Sequence, residues 1–375
     1  MRILISGGGT GGHIYPALAV ASELRDRYGA ELLYIGDENG LETRIVPDAG
    51  FRFVGISAGK LRRYLSLRTF SDLARVPVGM RQAYRVVRRF RPDAAFTSGG
   101  YVSVPAGMAA RLARAPLVMH QQDVPPNLAN RLLNPFATRV TISFAASQRY
   151  FPPDKTILIG NPVREEVLRA ARLDPMRARK GFGLKSALPI VLVTGGSQGA
   201  RRLNQVVAAT LPYLLQRCQV LHVSGELTYE ATQAQAARAL ADTPDLRERY
   251  ALFPYLKDSM PQALAACDIA LCRSGAATLA ELSIIGRPSV LVPLPPGFTG
   301  SPQAVNAAMF EQAGAAVTIR DRDLTPRRAL ELLEPLLGDA NRRVQMSVAA
   351  RKLGRPTAAS DLADLVAGLA ARLDR

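Results

Sequence analysis

The chain has 375 residues, long for a single hydrophobic core, so two domains of ordinary size are expected. Apolar residues make up 48% and charged residues 21%, a balance that excludes a disordered, collagenous or low-complexity chain. Lys and Arg number 48 against 31 Asp and Glu, a net charge of +17, so the expected partners are anionic: a nucleic acid, a membrane surface or phosphorylated substrates. The cysteines Cys218, Cys267 and Cys272 fit neither a CxxC redox pair nor a zinc knuckle, and read as reduced thiols of a cytosolic protein. The opening MRILISGGGTGG lacks the apolar core of a signal peptide, and no run approaches the ~18 apolar residues of a spanning helix. Neither export nor membrane crossing is expected.

In chain order, short β-branched runs alternate with Ala-, Leu- and Arg-rich stretches of helical period, the pattern of βα units around a parallel sheet. Strands are predicted at 2–6, 32–35, 53–56, 94–97, 117–119, 139–142 and 156–158. The order then restarts, with strands at 189–194, 220–223, 250–253, 269–272, 289–292 and 316–319. Glycine-rich turns at 7–12 and 195–199 open the two halves, which predicts an α/β protein of two doubly wound, Rossmann-like domains facing across a cleft. The expected division is 1–160, 161–340 and a helical tail at 341–375 able to pack back on either domain, with the hinge near Gly160-Asn161-Pro162.

Positive charge is concentrated between Lys60 and Arg91, where ten Lys or Arg meet a single acid, Asp72, for a local net of +9. Apolar residues such as Leu65, Phe70, Val87 and Phe90 are interleaved with Arg62, Arg63, Arg85 and Arg88. Such a segment suits the interface of an anionic bilayer. It suits equally a solvated helix face whose apolar residues are core. No nucleic-acid motif accompanies it, so nucleic acid is not an expected partner.

Gly7-Gly8-Gly9-Thr10-Gly11-Gly12 has GxGxxG spacing between a strand and a helix, and Asp37 follows the next strand, as in a dinucleotide fingerprint. His13 at the head of that helix faces the same mouth. Ser98-Gly99-Gly100-Tyr101 and His120-Gln121-Gln122-Asp123 stand at further strand ends, where open α/β sheets bind ligands. His222, inside a strand, reads as core. Gly195-Gly196-Ser197-Gln198-Gly199 repeats the phosphate cradle. Arg273 to Glu281 is a third glycine-opened helix, whose Glu281 is suited to two vicinal ribose hydroxyls. Asp321-Arg322-Asp323 has DxD spacing but reads as a loop and helix cap; no cluster has metal-ligand spacing.

The sets GGGTGGH, SGGYVS, GNPVR, LVTGGSQGARRLNQ and CRSGAATLAEL, in this order from residue 2 to about residue 320, resemble the MurG family of bacterial N-acetylglucosaminyltransferases. The resemblance implies the GT-B architecture and conversion of lipid I to lipid II for peptidoglycan. It implies UDP-N-acetylglucosamine as donor and an undecaprenyl-pyrophosphoryl muramoyl-pentapeptide as acceptor. The enzyme would work as a peripheral protein at the cytoplasmic face of the inner membrane, without a metal cofactor. Carried over by position, Arg164 and the turn Gly196, Ser197, Gln198 and Gly199 would meet the donor diphosphate with Thr278 assisting, and Thr10, Gly11, Gly12, Ala276 and Ala277 would also belong to the donor site. Glu281 would hold the ribose, Tyr255 and Leu256 the uracil, and Gln303 with Asn306 the sugar.

The strand-end turns make Gly99, Gly100, Tyr101, His120 and Gln121 the candidates for the acceptor, and the basic segment makes Arg62, Arg63, Leu65, Phe70, Arg85 and Arg88 the candidates for membrane docking. The family usually shows HEQN where this chain has His120-Gln121-Gln122-Asp123, so a carboxylate is lost at 121 and gained at 123. The family inverts at the anomeric carbon, so a general base is expected; His13 is the candidate and Asp123 its rival. Three other readings stay open: a nicotinamide-dependent oxidoreductase built on GxGxxG and Asp37, a non-catalytic binder of anionic surfaces, and another UDP-sugar transferase with a lipid or small-molecule acceptor.

Overall fold

The computed structural model describes residues 1–59, 67–184, 187–196, 199–295 and 303–371, with the backbone alone over 67–75. The chain forms two units, one of Met1–Arg164 with Arg355–Arg375, the other of Glu165–Gly354.

The first unit is built on a parallel sheet of β1 (Arg2–Ser6), β2 (Glu31–Asp37), β3 (Phe53–Ile56), β4 (Ala94–Thr97), β5 (Leu117–Gln121), β6 (Arg139–Ile142) and β7 (Thr156–Leu158), in the order β3-β2-β1-β4-β5-β6-β7. Its helices are α1 (Gly11–Tyr28), α2 (Glu42–Asp48), α3 (Leu67–Phe90), α4 (Ser103–Leu112) and α5 (Leu128–Leu133). A strand covered on both faces must be apolar throughout, and successive side chains enter opposite layers. In β1, Ile3 and Ile5 join the layer that contains Ile14 and Leu24 of α1, and Leu4 joins the layer of Val87 and Phe90 from α3. Each such buried aliphatic contributes about 1.5–3 kcal/mol.

In the second unit, α6 (Glu165–Ala170) and α7 (Pro175–Lys180) precede a second parallel sheet. Its strands are β8 (Ile190–Thr194), β9 (Gln219–Val223), β10 (Tyr250–Phe253), β11 (Ile269–Cys272), β12 (Ser289–Leu291) and β13 (Ala316–Thr318), ordered β10-β9-β8-β11-β12-β13. Around it lie α8 (Arg201–Leu214), α9 (Tyr229–Ala239), α10 (Met260–Ala266), α11 (Ala276–Ile285), α12 (Ala304–Gln312), α13 (Pro326–Gly338) and α14 (Ala340–Leu353). Cys218, Cys267 and Cys272 are buried and unpaired by disulfide, and burial pushes each thiol up to about 12.

The stretch expected as one helical tail is divided at Gly354-Arg355-Pro356. Helix α14 packs on α11 of the second unit. The last helix, α15 (Ala358–Ala370), packs on α1 through Leu362, Val366 and Ala370, a stripe at helical spacing. The first boundary falls after Arg164 rather than at Gly160, because β7 is followed by a segment without helix or strand whose Asn161 bonds to His120.

Candidate active site

Where strand order reverses in a parallel sheet, the loops leaving the two flanking strands diverge and open a crevice at their C-terminal ends. In the first unit the reversal lies between β1 and β4, in the second between β8 and β11. The loops so placed are Gly7–Thr10 and Ser98–Val102 in the first unit, and in the second the described residues 195–196 and 199–200 with Arg273–Gly275; these belong to the glycine-rich segments of the sequence.

In the first unit the two loops interlock. The Gly8 amide donates to the Gly99 carbonyl at 3.2 Å, and the Ser98 hydroxyl donates to the His13 carbonyl at 2.6 Å. Gly99 and Gly100 have φ of 106° and 89°, accessible to glycine at no steric cost. A β-carbon at Gly99 would stand 2.9 Å from Cδ2 and 3.1 Å from Nε2 of His13, and one at Gly100 would strike the Gly8 carbonyl. The His13 ring is half-buried, with Nδ1 3.3 Å from the Thr10 hydroxyl. Burial lowers its pKa from the ordinary imidazole value, while the Asp123 carboxylate and the Gly8 backbone oppose the shift. The imidazole is therefore neutral at pH 7 and able to accept a proton, with an anion close enough to steady the cation it forms. The Tyr101 ring lies against Gly9, 3.0 Å from the position of a β-carbon there, and its hydroxyl donates to the Asp37 carboxylate.

His120 and Gln121 are placed otherwise than expected. Strand β5 runs on through both, and both are wholly buried. His120 Nδ1 pairs with the Thr141 hydroxyl at 2.9 Å, and Nε2 lies 3.1 Å from Asn161 Oδ1 and 3.2 Å from the Ser143 hydroxyl. Desolvation lowers its pKa to about 4, so it stays neutral. Gln121 donates to the Asp123 carbonyl at 2.6 Å and accepts from Asn130 at 2.7 Å. Both side chains are thus wholly buried and hydrogen-bonded inside the unit, and Gln121 holds the Asp123 loop through its carbonyl. His222 is likewise buried, between Tyr250 and Asn204, with its pKa lowered to about 3, which agrees with its reading as core.

In the second unit, the Gly199 amide closes the glycine turn onto the Gly196 carbonyl at 3.0 Å and leads into α8. A β-carbon at Gly199 would collide with the Ser224 carbonyl, so the turn is seated on the loop after β9. Asn204 fixes that loop from α8, donating to the Ser224 carbonyl at 2.9 Å. Helix α11 starts at Gly275, buries Leu279 and Leu282, and leaves Thr278 and Glu281 half-buried. The Gln303 Oε1 accepts from the Leu294 amide at 3.2 Å, and its Nε2 stands 3.5 Å from where a Gly275 β-carbon would be, at the head of α11. Two helix N-termini with clustered backbone amides thus flank one crevice, an arrangement suited to a diphosphate.

Models of the glycosyltransferase family 28 N-terminal and C-terminal domains match residues 3–142 and 190–363. The chain belongs to glycosyltransferase family 28. It is 39% identical over 371 residues, 98% of each chain, to the UDP-N-acetylglucosamine–N-acetylmuramyl-(pentapeptide) pyrophosphoryl-undecaprenol N-acetylglucosamine transferase of Halothermothrix orenii. The protein of the same name from Desulforamulus reducens is 40% identical over 369 residues, covering 96% of this chain and 97% of that one. The crystal structure of Acinetobacter baumannii MurG superimposes with a TM-score of 0.72 at 26% identity, over 98% of this chain and 99% of that one. The two parallel-sheet units are the two Rossmann-like domains of a GT-B enzyme, and the chain is a glycosyltransferase.

Within this family 28 fold, the first rim gathers Thr10, Gly11, Gly12, His13, Gly99, Gly100, Tyr101 and Asp123. Arg164 lies at the end of the first unit with its guanidinium 4.2 Å from the Tyr15 ring centroid, a cation–π stack not foreseen from sequence. The second rim carries Gly196, Gly199, Ala276, Ala277, Thr278, Glu281 and Gln303, with Tyr255 and Leu256 in the loop after β10. Ser197 and Gln198 lie outside the described residues. Asn306 is wholly buried and donates to the Ser274 carbonyl at 3.2 Å, at the entry to α11. Asp321 of the DxD triplet pairs with Arg273 at 2.6 Å and Asp323 with Arg320 at 2.5 Å.

The basic segment divides between its two readings. In the described part of α3, Ala83, Val87 and Phe90 are core, whereas Arg85 and Arg88 are exposed with Tyr84 and Val78. Arg62, Arg63 and Leu65 lie outside the described residues, and Phe70 falls where the backbone alone is described.

Proposed function

We propose that this family 28 chain transfers N-acetylglucosamine from UDP-N-acetylglucosamine to the 4-hydroxyl of the muramoyl sugar of lipid I, forming lipid II for peptidoglycan. The observation that carries the reading is its 39% and 40% identity, over nearly the full length, to transferases whose names state this donor and a pyrophosphoryl-undecaprenol-linked acceptor. The geometry supports it over the oxidoreductase alternative. A dinucleotide site needs its first glycine turn open to a pyrophosphate and its strand-end acid open to a ribose. Here the buried Glu42 carboxylate faces the Gly9 amide at 3.4 Å, and Asp37 is engaged by Tyr101.

The reaction is read as one in-line displacement. His13 takes the proton of the attacking hydroxyl as its oxygen bonds to the anomeric carbon, and the bond from that carbon to the diphosphate breaks with the electron pair leaving on UDP. Asp123 steadies the imidazolium. The charge on the departing diphosphate is assigned to Ser197, the N-terminus of α8 and Arg164, each contact contributing about 2–4 kcal/mol by analogy with oxyanion donors. Glu281 holds the ribose hydroxyls, Leu256 and Tyr255 the uracil, Thr278 assists the phosphates, and Gln303 holds the sugar hydroxyls. The reading assigns no step to a metal. The test is the product mass. Incubation with UDP-N-acetylglucosamine and a short-chain lipid I analogue should add one N-acetylhexosamine, undiminished by EDTA. No addition by a sample that still binds UDP would contradict the acceptor assignment.

The lipid-linked acceptor calls for a peripheral site of work at the cytoplasmic membrane face, and no described helix is long and apolar enough to cross a membrane. Arg85 and Arg88 supply exposed cationic charge on α3. The neighbouring α4, α5 and the turn after it expose Leu112, Leu128, Leu132 and Phe136 beside Arg111, Arg114 and Arg131. Cationic and apolar groups on adjoining helices suit an anionic lipid surface. Reversing Arg62, Arg63, Arg85 and Arg88 should weaken binding to anionic vesicles and its salt dependence together, each Lys or Arg near the surface being worth about 1 kcal/mol. Unchanged vesicle binding would overturn the docking assignment.

A further inference from the structure

Behind the first glycine turn lies a side chain that the proposed chemistry does not use. Glu42 opens α2 and is wholly buried. Its Oε1 accepts from the Asp37 amide at 2.9 Å and its Oε2 from the Gly9 amide at 3.4 Å. Space for it is made by glycines: a β-carbon at Gly8 or Gly40 would strike its carboxylate, and one at Gly36 would stand 2.5 Å from its Cγ. The same Asp37 whose amide Glu42 holds accepts the Tyr101 hydroxyl on its carboxylate, and the Tyr101 ring rests on Gly9. A closed circuit results, running from Glu42 through Asp37 and Tyr101 to Gly9 and back. A buried carboxylate is costly unless its oxygens accept hydrogen bonds, and here they tie two separate loops to one rigid helix start.

We propose that Glu42 is a positioning residue of the acceptor side, whose carboxylate sets the glycine turn and Tyr101 at the separation the reaction requires and so holds His13 in line. The inference rests on the transferase reading above. It assigns Glu42 no contact with either substrate; it acts through Gly9 and Asp37. A misplacement of about 1 Å at a reacting group costs on the order of 100-fold in rate.

The test compares wild type with Glu42→Gln and Glu42→Asp, measuring kcat, both KM values and UDP affinity, with thermal unfolding alongside. Glutamine keeps the shape but can accept through one oxygen only, and turns an N–H₂ toward the other amide. Aspartate keeps the charge and shortens the reach by one methylene. For both, kcat should fall on the order of 10- to 100-fold, with acceptor KM raised, while donor KM and UDP affinity stay within about 3-fold of wild type. Wild-type rates in both variants would overturn the proposal, as would equal losses in donor and acceptor parameters. Loss of the unfolding transition in both would also overturn it, since Glu42 would then serve the fold as a whole. A wild-type enzyme that transfers no sugar in the same assay would fail the transferase reading instead, so the two failures are distinguishable.

Discussion

Replacing His13 with alanine is expected to lower turnover by about 10²- to 10⁴-fold, the range of general-base catalysis, while UDP affinity changes little. The split follows from where the side chain stands. It heads α1 in the first unit, pressed by Gly99 and backed by Asp123, whereas the nucleotide contacts are assigned chiefly to the second unit. The pH dependence has a definite sign. A base works unprotonated, and burial lowers the His13 pKa below 6.5, so kcat should hold through neutral pH and fall only as pH drops through that lowered value. In Asp123→Asn the opposing negative charge is gone, so the acid limb should move to lower pH still. Rate measurements from pH 4.5 to 8 check both. An acid limb above 6.5, or equal losses of turnover and UDP affinity in His13→Ala, would move His13 to a structural role.

Glu281→Ala should raise the KM for UDP-N-acetylglucosamine by about 10- to 100-fold, with a smaller change in kcat. A carboxylate accepting two vicinal hydroxyls loses charge-assisted bonds worth about 1.5–3 kcal/mol each when removed, partly replaced by water. The side chain is placed for this by α11, whose Leu279 and Leu282 are locked in the core while Glu281 falls on the half-buried face. A 2′-deoxyribose donor supplies the control. Wild type should discriminate against it, and Glu281→Ala should treat the two donors nearly alike. Retained discrimination would place the ribose elsewhere.

The strands were legible because a parallel sheet buries both faces of each strand, so Ile3-Leu4-Ile5 and Val191-Leu192-Val193 stand out as unbroken apolar runs. The glycine turns were legible because only glycine tolerates the backbone at positions such as Gly99 and Gly199. What escaped was pairing across long sequence separations. His120 and Gln121 look like rim residues in a linear reading; their partners Thr141, Ser143, Asn161 and Asn130 become evident only when β5 is seen to continue through them. Asp37 reads as the acid of a dinucleotide fingerprint in the sequence, whereas the Tyr101 hydroxyl, 64 residues on, is bonded to it. Glu42 had no motif to announce it, although a glutamate preceded by Gly36 and Gly40 is a faint signal of a carboxylate buried where side chains must be absent. In α3 the apolar residues alternate with arginines, and the helical period decides their fate: Val87 and Phe90 turn inward, Arg85 and Arg88 outward.

The most direct measurement is the rate of UDP release from UDP-N-acetylglucosamine by the purified protein, with and without a short-chain lipid I analogue. Release that depends on the acceptor and persists in EDTA is the predicted result. Release at the same rate without the acceptor, or none with it from a protein that binds UDP, would contradict the assignment of this chain as the transferase that completes lipid II.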